Sequence, residues 1–122
     1  MIAMLLACAA DPDAPPDVRW DQDACEACGM LVGEPTYAAA VATRDGATHV
    51  FDDPACLVRW VAENAPSIRH LWFHVGDGWL SDGAAEFVAD ANGPMAGGFR
   101  AVAAGTDGAM SFGAASSAVM SR

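Results

Sequence analysis

Basic side chains are scarce in this sequence. Six Lys and Arg stand against 16 Asp and Glu in 122 residues, for a formal charge of −10 at neutrality. Nucleic-acid phosphates need Lys and Arg along a surface, so this balance argues against nucleic acid as a partner and against charge-driven adsorption to anionic lipid. Long apolar runs are scarce too, and no segment reaches the roughly 20 apolar residues that a membrane-spanning helix needs. Large apolar side chains are few. The hydrophobic fraction is 53%, but much of it is alanine, leaving four Trp, five Phe and one Tyr with scattered Val and Leu. These suffice for one small core in one domain, and a bound metal could add to its modest stability.

No Lys or Arg precedes Arg19. Residues 1–7 are nevertheless apolar or small, and Leu5-Leu6-Ala7-Cys8 has the form of a bacterial lipobox. In that reading residues 1–8 are an export signal, and Cys8 becomes the mature N-terminus with lipid on its sulfur, anchoring the chain to a membrane. The apolar region is shorter than the roughly 7–15 residues usual for such a signal and lacks a basic stretch, so a start further upstream is expected. The competing reading is a cytoplasmic chain with an apolar beginning. Residues 9–23, rich in Pro and Asp, read as an extended tether.

Residues 24–104 carry the pattern of a folded domain. Tyr37 to Thr43 and Thr48 to Phe51 read as strands joined at Arg44-Asp45-Gly46, a hairpin signal. Asp53 and Pro54 read as the cap and first position of a helix that carries Leu57, Trp60 and Val61 and ends near Asn64-Ala65-Pro66. His70 to Val75 reads as a third strand, with Gly76-Asp77-Gly78 turning into a short return through Trp79 and Leu80. Asp82 is a cap candidate for a short helix over residues 84–89, and a last strand is expected near Phe99 to Ala103 after the loop Gly93-Pro94-Met95-Ala96-Gly97-Gly98. The fold class is therefore α+β, with a small, mainly antiparallel sheet and short helices. Residues 105–122, a Gly/Ala/Ser tail with two Met, give no firm signal and read as a frayed helix or disorder.

Cys25-Glu26-Ala27-Cys28-Gly29-Met30 is the stretch richest in chemistry. Two thiols three residues apart converge on one metal ion or close on each other, and Gly29 permits the turn that presents them. A c-type haem needs His after Cys28, where Gly29 stands. A structural zinc site needs four ligands, and only Cys56 remains to join the pair. A thioredoxin-like motif should follow a strand, whereas linker precedes Cys25. A simple Cys25–Cys28 disulfide remains open. If Cys8 is lipidated, three thiols are left, so one stays free.

Cys56 falls in the first turn of the helix capped by Asp53. The helix dipole there favours a thiolate, and Asp52 and Asp53 oppose it. It is a ligand, a reactive thiol or a small buried hydrophobe. Met30 directly follows the Cys-Gly pair, and Met95 sits in a Gly-Pro loop, an unusual place for a core side chain. Thiolate and thioether together select Cu(I), although each Met alone also suits core filling. His49, His70 and His74 lack metal-motif spacing, and Asp52 and Asp53 are better read as turn and cap than as catalytic carboxylates.

These segments together resemble the NosL family, the lipoproteins that act as nitrous oxide reductase accessory proteins. The resemblance rests on Cys25-Glu-Ala-Cys28-Gly29-Met30, the Tyr37-Ala38-Ala39 strand, Phe51-Asp52-Asp53-Pro54-Ala55-Cys56-Leu57 and Gly93-Pro94-Met95 before Arg100-Ala101-Val102. It covers about residues 25–103. It implies ββαβ units similar to those of alkylmercury lyase and a periplasmic metallochaperone without catalytic turnover. It also implies a Cu(I) site at Cys28, Met30 and Met95, with Cys25 and Cys56 as candidate members, and nitrous oxide reductase or another copper enzyme as client. Two other functions stay open: a thiol-based enzyme using Cys28 and Cys56 with Asp52 or Asp53, for disulfide exchange or organomercurial cleavage, and a disulfide-stabilised domain that binds no metal.

Overall fold

A computed structural model describes residues 11–95 and 97–121. The expected lipid-bearing Cys8 lies outside them. The chain folds as α+β. Strands β1 (Ala39–Thr43), β2 (Thr48–Phe51), β3 (Ile68–Val75) and β4 (Gly78–Ser81) form one antiparallel sheet in the order β2-β1-β3-β4. Helix α1 (Pro54–Asn64) connects β2 to β3, giving the expected ββαβ order.

Local chemistry sets these boundaries. In the β1–β2 turn, Gly46 takes φ +93°, and the Asp45 carboxylate accepts from the Ala47 amide at 3.1 Å. Asp53, extended at φ −153°, caps α1 by accepting from the Ala55 amide at 2.8 Å, and Pro54 occupies the first helical position, where no amide is needed. The helix ends at Ala65, whose left-handed φ of 44° lets its amide reach the Val61 carbonyl before Pro66 stops propagation.

Pairing of Ala39 with both Phe51 and Phe73, and of Val41 with Leu71, aligns one apolar sheet face. Against it pack Ala55, Leu57 and Val58 of α1, and Phe87, Phe99 and Ala101 of a two-stranded sheet, β5 (Ala85–Asp90) with β6 (Gly98–Ala103). Phe73 meets Phe87 edge-on at 4.8 Å between ring centres. The other face carries Ala40, Ala42 and Trp72. Small alanines keep β1 buried on both sides, because neighbouring segments can approach its backbone closely.

Two stretches differ from the sequence reading, and the tail takes the helical one of its two alternatives. The stretch expected to be helical over 84–89 is extended instead, in β5 (Ala85–Asp90), and Asp82 opens only a 3-10 turn, Asp82–Ala84. Alanine favours a helix locally, but Ala85 and Phe87 alternate inward with period two, and pairing from Ala85↔Ala103 to Asp90↔Gly98 prevails over propensity. The tail contains α2 (Phe112–Met120), capped by Ser111 at 3.1 Å from the Ala114 amide, with Ala115 and Val119 buried one turn apart. The described part of the tether is docked. Val18 is buried, Trp20 stacks on Trp79 and meets the edge of His74, and Asp13 pairs with Arg69 and His70 at 3.0 and 2.8 Å. Among the described residues no helix is long and apolar enough to cross a membrane.

The strand assignment of 85–90 is testable by paired truncations. Phe87→Ala should lower the unfolding free energy in urea by about 3–5 kcal/mol, as for a fully buried aromatic. Val88→Ala, on the outward-facing side, should cost far less. Equal losses would contradict the alternation.

Candidate metal centre

The cysteine turn is built from its own backbone. The Cys25 amide donates to the Met30 carbonyl at 2.7 Å, and the Gly29 amide to the Cys25 carbonyl at 2.9 Å. Gly29 takes φ +80° with open space around it, so conformation, not crowding, selects glycine there. The turn is fastened to β2 by the Glu26 amide on the Val50 carbonyl at 2.8 Å and by the His49 ring on the Glu26 carboxylate at 3.0 Å. His49 is thus a partner of the rim. This closure points amides at sulfur. Ala27, Cys28 and Asp52 donate to the Cys25 sulfur, and Met30 donates to that of Cys28.

The turn sits over the junction between β2 and α1, which supplies Asp52 and, from the first helical turn, Cys56. The three sulfurs and an Asp52 oxygen all lie within 4.8 Å of one another. Cys25, Asp52 and Cys56 are buried, whereas Cys28 is exposed and its thiol reaches both Asp52 oxygens at 3.7 Å. All three thiols are free.

Crowding sets the protonation of the cluster. The Cys56 thiol donates to the Cys25 sulfur, and the three amides assist, so Cys25 is held well below the ordinary thiol range despite its burial. Cys56 is driven upward because it keeps that shared proton, and burial and the charges of Cys25, Asp52 and Asp53 add to the effect. Burial likewise raises Cys28, as does the proximity of Cys25 and Asp52. Asp52 is pushed up to about 6 by burial and by the Cys25 charge. The anionic neighbours therefore outweigh the helix dipole at Cys56. Two like charges 4 Å apart repel by about 4 kcal/mol at an effective dielectric constant near 20, and a cation at the centre would reverse that sign.

Asp52 was invisible as a donor in sequence terms. Its signal is the doubled acid Asp52-Asp53, since one side chain suffices for the cap and the other is left over. It also corrects the count that set zinc aside, because four donors, not three, converge. Met30 directly follows the turn and is 53% exposed. Met95 is half-buried and packs on the main core. Its loop is tied to the residue beside Asp52: the Met95 and Gly97 amides donate to the Asp53 carboxylate, and Gly93 and Gly97 lie against that carboxylate with no room for a Cβ. Burial raises Asp53 itself. His70 and His74 are not in the cluster; they belong with Trp72, Trp20 and Trp79 on the opposite sheet face.

No family model, curated protein or solved structure matches this chain. The likeness read from the motifs is carried by those residues alone. The chemistry rests on the cluster, which offers three soft donors and one hard donor and can hold a metal ion.

Asp52 yields a pH prediction for the metal-free protein. Its folded pKa of about 6 exceeds the unfolded value of 3.8, so the folded state binds the proton more tightly, and stability is lost as pH rises between the two. Asp52→Asn should therefore raise stability at neutral pH, by on the order of 2 kcal/mol, and change it little below the ordinary carboxylate range. Urea unfolding at both pH values measures this. A loss at neutral pH would mean the ionised carboxylate stabilises the metal-free fold.

Proposed function

We propose that this chain is an exported, lipid-anchored carrier without catalytic turnover. It binds one Cu(I) ion and passes it to a client copper enzyme, with nitrous oxide reductase the first to test, on the periplasmic side of a bacterial membrane. The supporting observation is the asymmetry of the thiols: Cys25 and Cys56 are buried and Cys28 is exposed, all within 4.8 Å. Two inner sulfurs retain a soft ion, and the outer one can yield its place to an acceptor's ligand. Three sulfurs against a single oxygen make the donor set predominantly soft, which suits Cu(I) better than Zn(II). Exposed Met30 and, in the loop tied to Asp53, Met95 supply thioethers that disulfide formation cannot remove.

One observation favours a second reading. An Asp52 carboxyl 3.7 Å from the Cys28 sulfur, holding its proton more tightly than an ordinary carboxylate because it is buried, suits a thiol enzyme that cleaves organomercurials. The carbon–mercury bond breaks as thiolates take mercury, and the carbon receives the carboxyl proton. Release of hydrocarbon from a simple alkylmercury salt would favour that reading over carriage.

Competition against a Cu(I) chelator under anaerobic conditions tests the carrier. One Cu(I) should bind per chain, with Zn(II) far weaker. Cys28→Ser should abolish tight binding. Met95→Ile, which retains apolar bulk, should keep the fold and lower Cu(I) affinity; unchanged affinity would remove Met95 from the site, and preference for Zn(II) would overturn the copper assignment. Anchoring is checked separately. Cys8→Ser should release the protein from the membrane fraction, and retention there would rule out lipid on Cys8.

A further inference from the structure

The donor set has a property that copper does not exhaust. Three free sulfurs converge from two segments, the 25–30 turn and the first turn of α1, and the fourth neighbour is a carboxyl oxygen. A trivalent centre with a lone pair forms three bonds to sulfur in a pyramid and leaves its fourth direction to that lone pair. It therefore needs all three thiols and makes no demand on Asp52. A divalent tetrahedral ion needs the fourth donor.

We propose that Cys25, Cys28 and Cys56 form a binding site for trivalent arsenic, taken up as arsenite and held by three As–S bonds. The proposal rests on the three-thiol centre and not on copper or a client. Arsenous acid, As(OH)3, is neutral near physiological pH, so the net charge of −10 does not repel it as it would an oxyanion. Each bond forms by exchange: a sulfur bonds to arsenic and a hydroxyl leaves as water, taking the thiol's own proton or, where the sulfur is already ionised, a proton from solvent. Three exchanges consume three thiols and release three waters. Arsenic stays trivalent throughout, so neither oxidant nor reductant is required.

Exposed Cys28 makes the first bond, since its thiol is the one open to solvent. Cys25 and Cys56 then react with an arsenic already held within a few ångströms, at the high effective concentration of an intramolecular step. The product joins the cysteine turn to α1, two segments held in the free protein by hydrogen bonds and packing, and binding only the folded arrangement stabilises it.

Titration of the reduced Cys8→Ser chain with sodium arsenite under anaerobic conditions tests this, because only the three thiols in question then remain. One arsenic should bind per chain, with a mass gain of one arsenic less three hydrogens, near-ultraviolet As–S absorption and loss of all three titratable thiols. Cys25→Ser, Cys28→Ser and Cys56→Ser should each weaken binding about 100-fold or more, as expected when one of three linked bonds is lost. The proposal is overturned if a thiol stays titratable in the arsenic-bound protein, or if Cys56→Ser binds as tightly as the parent, since the Cys25–Cys28 pair alone would then account for capture. Should the Cys56 variant not fold, the thiol count on the parent decides. Cu(I) binding with only two thiols lost to arsenite would defeat this proposal alone; three thiols lost without Cu(I) binding would defeat copper carriage alone.

Discussion

Four groups able to carry negative charge share a space less than 5 Å across, with three of them buried, and the protein accommodates this crowding through its own backbone. Cys25 is favoured as the anion because three amides and the Cys56 thiol point at its sulfur, and the neighbouring groups keep their protons as a result. The metal-free cluster thus carries less charge than its composition suggests. A bound cation changes that balance by drawing out further protons, so metal affinity and proton release are linked in this centre.

The scaffold serves this arrangement at two joints. The 25–30 turn is pinned to β2 through Glu26, and the residues directly after β2 enter α1 through Asp52, Asp53 and Pro54. Asp52 and Asp53 divide the work between them. One faces the sulfurs, while the other caps the helix and receives the amides of the Met95 loop. A single backbone junction thus carries both carboxylates, one toward the sulfurs and one toward the amides of Met95 and Gly97. Behind the junction, alanines in β1 allow the sheet to be covered on both faces, which gives this small chain a core adequate for holding the junction in place.

For the proposed carrier, burial of two sulfurs and exposure of the third would reconcile retention with transfer. A fully enclosed site would hold an ion but release it slowly, and a fully open one would lose it to any competing thiol. Here an incoming ligand meets Cys28 first, with Met30 exposed beside it and an acidic surface around the chain that attracts cations.

Local signals determined much of this molecule. The β1–β2 hairpin, α1 with its Asp53 cap and Pro54, β3, and the return into β4 follow from residues within a few positions of each other. The tight turn at Gly29 and the candidacy of Cys25, Cys28 and Cys56 were legible for the same reason. Asp52 was not, because a carboxylate becomes a metal donor only when the fold closes a distant turn over it. Residues 85–90 were misread, since their alanines carry helical propensity and only the partner strand 98–103 selects the extended form. The helix at 112–120 and the docking of Val18 and Trp20 were likewise weak in sequence, because small or isolated side chains become informative only against the surfaces they cover. Sequence determined which groups could carry the chemistry; tertiary structure decided which of them meet, because convergence depends on pairings between residues far apart in the chain, which no local preference encodes.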